Sequence, residues 1–266
     1  IDPLKIEKII NNNTKAIIPV HLYGKSCNMD DILKISKKYK LKVIEDCAQS
    51  QGAKFKKKFT GTFGNCGCFS FYPTKILGAY GDGGLILTND FNLYQNAKKI
   101  RFYGIETNNR KKKFFNEYYS YENGVNSRLD EINSKILDYK LKKVDVFIKR
   151  RRIIANQYYR LLKNTSLILP KKEKEKFDVY HLYTVYHPKR DFIIRQLYKN
   201  NIETRIIYPY PIHKMTAYKS FFKKKKFINS EKMSKGIFSL PLYPDLKMSD
   251  VKIVCNKLVE ILKKIS

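Results

Sequence analysis

The chain has 266 residues, 43% of them hydrophobic, with five cysteines and no tryptophan. That is long enough to bury a core in one large domain or two modest ones, and too apolar for a disordered tail. No apolar run reaches the roughly 18 residues of a membrane span, and the opening IDPLKIEKIINNN lacks the apolar stretch of a signal peptide, so a soluble cytoplasmic protein with no membrane partner is expected.

In chain order, PLKIEKII reads as a short helix and KAIIPV (15–20) as a β-branched strand. SCNMDDILKISKKYK (26–40) has Asn and Asp near its start and apolar residues at 29, 32, 33 and 35, the spacing of an amphipathic helix. LKVIED (41–46) is a buried type of strand ending in two carboxylates. Helix, strand, helix, strand with short connections is the order of a parallel sheet covered by helices, which binds ligands at the carboxyl ends of its strands. GCFSFY (67–72) and GGLILTN (83–89) read as further strands, and the glycine-rich, aperiodic PTKILGAYGDGG between them as a loop on that edge. Residues 91–102 and 128–163 read as helices, the second leading through KKVDVFIKRRR into another domain. From about residue 165 the pattern changes. YHLYTVY (180–186) and IETRII (202–207) read as strands, DFIIRQLYKN and residues 249–264 as helices, and the lysine-rich 171–176 and 223–226 as solvated loops. Domains at 1–140 and 141–266 are expected, the second a smaller α+β unit.

The formal charge of +30 invites a nucleic-acid partner. Only ten of the 54 basic residues are Arg, however, and the lysines fall in scattered groups (Lys56–Lys58, Lys111–Lys113, Lys223–Lys226) rather than along one helix face. No specific nucleic-acid partner is expected, although such a field steers anionic substrates. The cysteines at 27, 47, 66, 68 and 255 are odd in number and unevenly spread, which points to a reducing compartment rather than a disulfide framework. Cys66-x-Cys68 has no second pair, and His21, His181, His187 and His213 are widely separated, so they read as packed or surface residues and no metal is expected.

Two side chains stand out. Asp46 ends an apolar strand and precedes Cys47-Ala48-Gln49-Ser50; an Asp there is either a turn former or a carboxylate held at the ligand edge for a cation. Lys75 is a surface lysine by default, one of many. It lies between Ser70-Phe71-Tyr72-Pro73-Thr74 and Gly78, Gly81, Gly83 and Gly84, which makes it a long amine at a strand end, in a loop whose glycines allow close approach to the backbone. A lysine in a low-dielectric pocket loses its proton readily and can form a Schiff base.

VIEDCAQSQGA (43–53), GTFGNCGCFSFYPTKILGAYGDGG (61–84), IRFYG (100–104) and GVNSRLDEINSKIL (124–137) closely resemble the DegT/DnrJ/EryC1/StrS sugar aminotransferases. So do KAIIPVHLYG (15–24), YPYPIHKMTAY (208–218) and SLPLYPDLKMSDV (239–251). The resemblance implies an α/β fold, the pyridoxal 5'-phosphate-dependent transferase fold of type I. Residues 1–140 would form most of the large cofactor-binding domain, a mostly parallel sheet flanked by helices, and 141–266 a linking helix and the smaller C-terminal domain. It implies that Lys75 forms the Schiff base with the cofactor and moves the proton, that Asp46 pairs with the pyridine nitrogen, and that Gln49 bonds the phenolic oxygen. Ser70 would bind the phosphate, and Asn126, with Arg128 close by, would reach the phosphate of a second subunit, so that a homodimer has its active sites at the interface. Tyr72, Tyr208 and His213 match substrate-contacting positions.

Retained Lys75, where related dehydratases carry His, implies transamination. Tyr72, where members acting at C4 tend to carry His, points to a 3-keto nucleotide sugar, with glutamate or glutamine as amino donor, in amino-sugar or surface-glycan biosynthesis. A cyclitol (inosose) aminotransferase and a non-catalytic relative that keeps the dimer surface are the alternatives. In the family a further segment, bearing part of the phosphate site and a ring stacked on the cofactor, precedes the point matching Ile1. The chain therefore reads as the bulk of such an enzyme, or as a shortened product with weak cofactor retention.

Overall fold

A helix that starts on Pro3 needs no N–H there, and Asp2 accepts the Leu4 N–H at 3.2 Å to open helix α1 (Pro3–Ile6). The structure is a computed structural model and describes residues 1–106, 118–222 and 225–265; Lys111–Lys113, Lys223 and Lys224 lie outside the described residues. It divides into two units, Ile1–Val146 with Lys174–Val179, and Phe147–Glu173 with Tyr180–Ser266.

In the first unit, strand β1 (Ala16–Ile17) is followed by helix α2 (Met29–Tyr39), which carries Asp30 and Asp31 in its first turn and Lys37 and Lys38 in its last, matching the helix dipole. It buries Met29 and Ile32 against Ile6, Ile17, Val43 and Phe55. Strand β2 (Lys42–Asp46) leads to a hairpin of β3 (Lys54–Phe55) and β4 (Lys58–Phe59), then to β5 (Cys66–Ser70) and β6 (Gly84–Leu87). The main sheet runs β1-β2-β5-β6, with β1, β2 and β5 parallel and β6 antiparallel to β5. Register sets Asp46 beside Cys68 and Ser70 beside Gly84, so the ends of β2 and β5 share one edge with the start of β6. Leu85, Ile86 and Leu87 are exposed along β6.

Helices α3 (Phe91–Ile100), α4 (Glu131–Leu141) and α5 (Val144–Leu162) follow, and β7 (Lys176–Phe177) adds to β3. The helix expected over 128–163 is thus two, interrupted at Lys142–Lys143, where the Lys143 N–H turns back to the Lys140 carbonyl. The 171–176 tract is not wholly a solvated loop, because its end joins β7. The strand expected at 15–20 is shorter, because Pro19 offers no N–H; Val20 rejoins the ladder through a bridge to Asp46.

The second unit pairs β8 (Tyr183–Tyr186) antiparallel with β9 (Ile237–Leu240). Between them lie helices α6 (Arg190–Tyr198), α7 (Thr216–Lys219) and α8 (Ile228–Gly236), and α9 (Met248–Lys263) closes the unit. Its core joins Tyr158, Tyr183, Ile193, Leu197, Phe238 and Leu258. Arg151 is buried among carbonyls of Tyr180, His181 and Leu242, each 3.2 Å from Nη1, and burial pushes its guanidinium down to about 10. The strand expected at 202–207 is absent among the described residues; only Arg205 bridges, to Ser239.

Candidate active site

Asp46 is the last residue of β2, half-buried, and its backbone is fixed from one side: its N–H donates to Pro19 O at 2.9 Å and its carbonyl accepts the His21 N–H at 3.0 Å. Its Oδ1 accepts the Ala48 N–H at 3.0 Å, the turn-forming contact open to an Asp at a strand end. The turn-forming contact leaves Asp46 at the end of the strand edge. Gln49 is buried, and its Oε1 accepts the N–H of Tyr23 at 2.7 Å, which settles which end of the amide carries the oxygen.

Lys75 stands on a loop fastened at both ends. The Phe71 N–H donates to Gly83 O and the Ala79 N–H to Phe71 O, both at 2.8 Å, and the Lys75 N–H closes a turn on Tyr72 O. Helix α4 holds the far side: Asn133 Oδ1 accepts the Tyr80 N–H, and Lys140 Nζ donates to Gly78 O at 2.7 Å. Leu77 and Ala79 pack with Leu137 of α4, so the segment after Lys75 is core rather than loose coil. Burial pushes the Lys75 ammonium below the ordinary lysine range, and the Asp46 carboxylate pulls it part of the way back. The Lys75 ammonium thus feels the Asp46 carboxylate at the end of β2.

Ser70 ends β5 at the same edge; its Oγ accepts the Tyr72 N–H at 3.3 Å and its carbonyl the Gln51 Nε2 at 2.6 Å. Tyr72 is exposed beside it. Asn126 is exposed and bridges to Phe102, and its Oδ1 accepts from Arg128 Nε at 3.0 Å. Both border a cavity of about 890 Å³ that also touches Cys68, Asp82, Gly84 and Arg101. Tyr208 and His213 belong to the second unit. There His213 is buried, meets Glu231 Oε1 at 3.0 Å through Nε2 and packs on Phe227.

Sequence reasoning passed over one feature. Glu45 and His21 are both 0% exposed and meet at 3.1 Å. Glu45 also accepts N–H groups of Gly61, Phe63 and Gly64, each at 2.7 Å, and His21 Nδ1 accepts the Cys27 N–H at 3.0 Å. That contact turns Nε2 toward Glu45, to which it donates. The signal was present: Val43 and Glu45 alternate onto the buried face of β2. The ligand atoms of His21, Glu45 and Cys47 lie within 4.8 Å of one another, closer than their sequence separation suggested. The Glu45 oxygens and both His21 nitrogens are engaged by these hydrogen bonds.

Residues 1–259 match the DegT/DnrJ/EryC1/StrS aminotransferase family, and the chain belongs to it. This is a family of pyridoxal-phosphate-dependent aminotransferases, and the fold is the corresponding α/β transferase fold with a smaller C-terminal α+β part. The chain is 45% identical over 254 residues to the dTDP-3-amino-3,6-dideoxy-alpha-D-galactopyranose transaminase of Aneurinibacillus thermoaerophilus, covering 96% of this chain and 67% of that protein. It is 39% identical over 264 residues to a pleiotropic regulatory protein of Geobacillus stearothermophilus, covering 98% and 68%. The solved structure of S. venezuelae DesV, in complex with a ketimine intermediate, superposes with a TM-score of 0.90 at 33% identity, covering 98% of this chain and 68% of that one. The chain spans about two thirds of the length of these relatives.

The donor set fits pyridoxal phosphate. A carboxylate suits a ring N–H, a lysine whose proton is loosened by burial suits an aldehyde, and an amide and a hydroxyl suit the remaining oxygens.

Proposed function

We propose that this chain carries the transamination of a keto sugar borne on a nucleoside diphosphate, at C3, with glutamate or glutamine as amino donor. The observation that carries this reading is the clamped Lys75 acting with Asp46 at one sheet edge. Pyridoxal phosphate, when bound, supplies an electron sink for the carbon that gives or takes the amine. In this reading Asp46 holds a proton on the ring nitrogen, Gln49 fixes the ring from its phenolic side, and Ser70 anchors the phosphate. Lys75 would hold the cofactor through its Nζ and, as a free amine, would move the proton at the substrate carbon. Its lowered proton affinity, set by burial, is the direction that task calls for.

Asn126 and Arg128, exposed on the same unit, would complete the phosphate site of a second copy, making the working form a homodimer. Tyr72, Tyr208 and His213 would meet the sugar, and the field of a chain with charge +30 would draw in its diphosphate. The name of the 45% identical relative, a 3-amino-sugar transaminase, supports the C3 position. Five free cysteines suit a cytoplasmic setting, and among the described residues no helix is long and apolar enough to cross a membrane.

The test is absorbance of the purified chain titrated with pyridoxal phosphate, beside Lys75→Ala. The expected result is a lysine-condensation band in the parent that Lys75→Ala abolishes. A band that survives Lys75→Ala would remove Lys75 from its role. No band in the parent, nor in a version lengthened to match its relatives, would leave the non-catalytic reading.

A further inference from the structure

The strand edge that bears Asp46 is held in place by groups that meet no ligand themselves. His21 ties to two successive residues of β2: its ring to the Glu45 carboxylate, and its backbone N–H to the Asp46 carbonyl. Glu45 gathers the N–H groups of Gly61, Phe63 and Gly64, which pins the 61–64 turn against β2. Two residues beyond His21, Tyr23 adopts φ 59°, which aims its N–H at Gln49 Oε1. One buried cluster therefore sets the backbone of Asp46 and, through the turn holding Tyr23, the amide of Gln49.

A fully buried carboxylate with four donors is costly to assemble, and a well-packed apolar pair of similar volume would hold a strand end equally well. What an apolar pair cannot supply is direction. Four hydrogen bonds fix the rotation of the β2 end, whereas packing fixes only its position. The turn is committed to this arrangement: a Cβ on Gly64 would lie 2.5 Å from Val43 O, and one on Gly67 would lie 2.4 Å from Gly61 Cα.

We propose that His21 and Glu45 are positioning residues of the active site, whose hydrogen-bonded pair aims Asp46 and Gln49 at the cofactor ring. The inference rests on the reading of Asp46 and Gln49 as cofactor ligands given above. It adds that their aim, and not merely the fold, depends on the buried pair.

The test compares Glu45→Gln and His21→Gln with Ile32→Ala, which opens a cavity in the core of the same unit. Thermal melts of the 266-residue chain establish that each variant folds and how much stability it loses. Two further readouts decide the matter. One is the dissociation constant for pyridoxal phosphate. The other needs no cofactor: the titration of Lys75 by NMR of ¹³C-methylated lysines, its resonance assigned by loss in Lys75→Ala. In the Glu45 and His21 variants the cofactor affinity falls by about tenfold or more, and Lys75 titrates lower still, because a displaced Asp46 no longer supports its ammonium. Ile32→Ala loses comparable stability and moves neither. If the Glu45 and His21 variants melt lower yet keep both the affinity and the Lys75 titration, the pair is scaffolding only and the proposal is overturned. If the parent shows no Lys75-dependent band while Glu45→Gln still shifts Lys75, the cofactor reading fails and the coupling stands.

Discussion

Glu45 is a carboxylate at 0% exposure that nevertheless stays charged. Burial pushes its pKa up, but His21 and the N–H groups of Gly64 and Gly61 more than reverse this and hold it below the ordinary 4.5. A folded-state value below the unfolded one means that the unfolded chain binds the proton more tightly. The stabilisation is therefore complete above pH 4.5 and is lost as the pH falls through the lower folded value. Glu45→Gln, which turns an N–H group toward N–H donors, is expected to cost about 1–3 kcal/mol at neutral pH. That gap should narrow on acidification, as read from urea midpoints of the two proteins across the acid range; a gap independent of pH would deny Glu45 its charge. Lys75 and Asp46 could be singled out in the sequence because their residue types and neighbours suit the chemistry proposed for them. Glu45 was less legible, since its donors come from Gly61, Phe63 and Gly64, and nothing local announces which turn will fold back onto it.

At the scale of elements, the contact between β5 and the preceding turn leaves no room for a side chain. A Cβ on Gly67 would also lie 2.6 Å from the Gly61 carbonyl oxygen, and the obstacles are backbone rather than a movable side chain. Gly61 itself has φ +88°, a conformation that suits glycine. Gly67→Ala should therefore cost about 3 kcal/mol or more by overpacking, measured by chemical denaturation, and should part β5 from the turn. Helix α2 and helix α9 were readable from apolar spacing because a long period repeats over several turns. The break at Lys142–Lys143 was not, for neither Gly nor Pro marks it. Nor was the fate of 202–207: its β-branched run has strand propensity, but among the described residues only Arg205 bridges to a strand, and propensity without a partner strand makes no ladder.

For the whole molecule, the charge of +30 acts on any polyanion the chain meets. Random-sequence DNA or heparin is expected to bind weakly, with affinity falling steeply as salt rises and no preference among sequences; a strong sequence preference in competition assays would restore the nucleic-acid reading. The Lys75 loop carries a different consequence. Phe71 and Gly83 are tied to each other at its base, and residues 76–79 are buried at its centre. The exposed residues on either side, 72–74, 80 and 82, are thereby insulated from strand register. They form an exchangeable cassette. In descent, or in a laboratory graft, those exposed residues can change while Lys75 keeps its anchorage, so that surface and anchorage can evolve at separate rates.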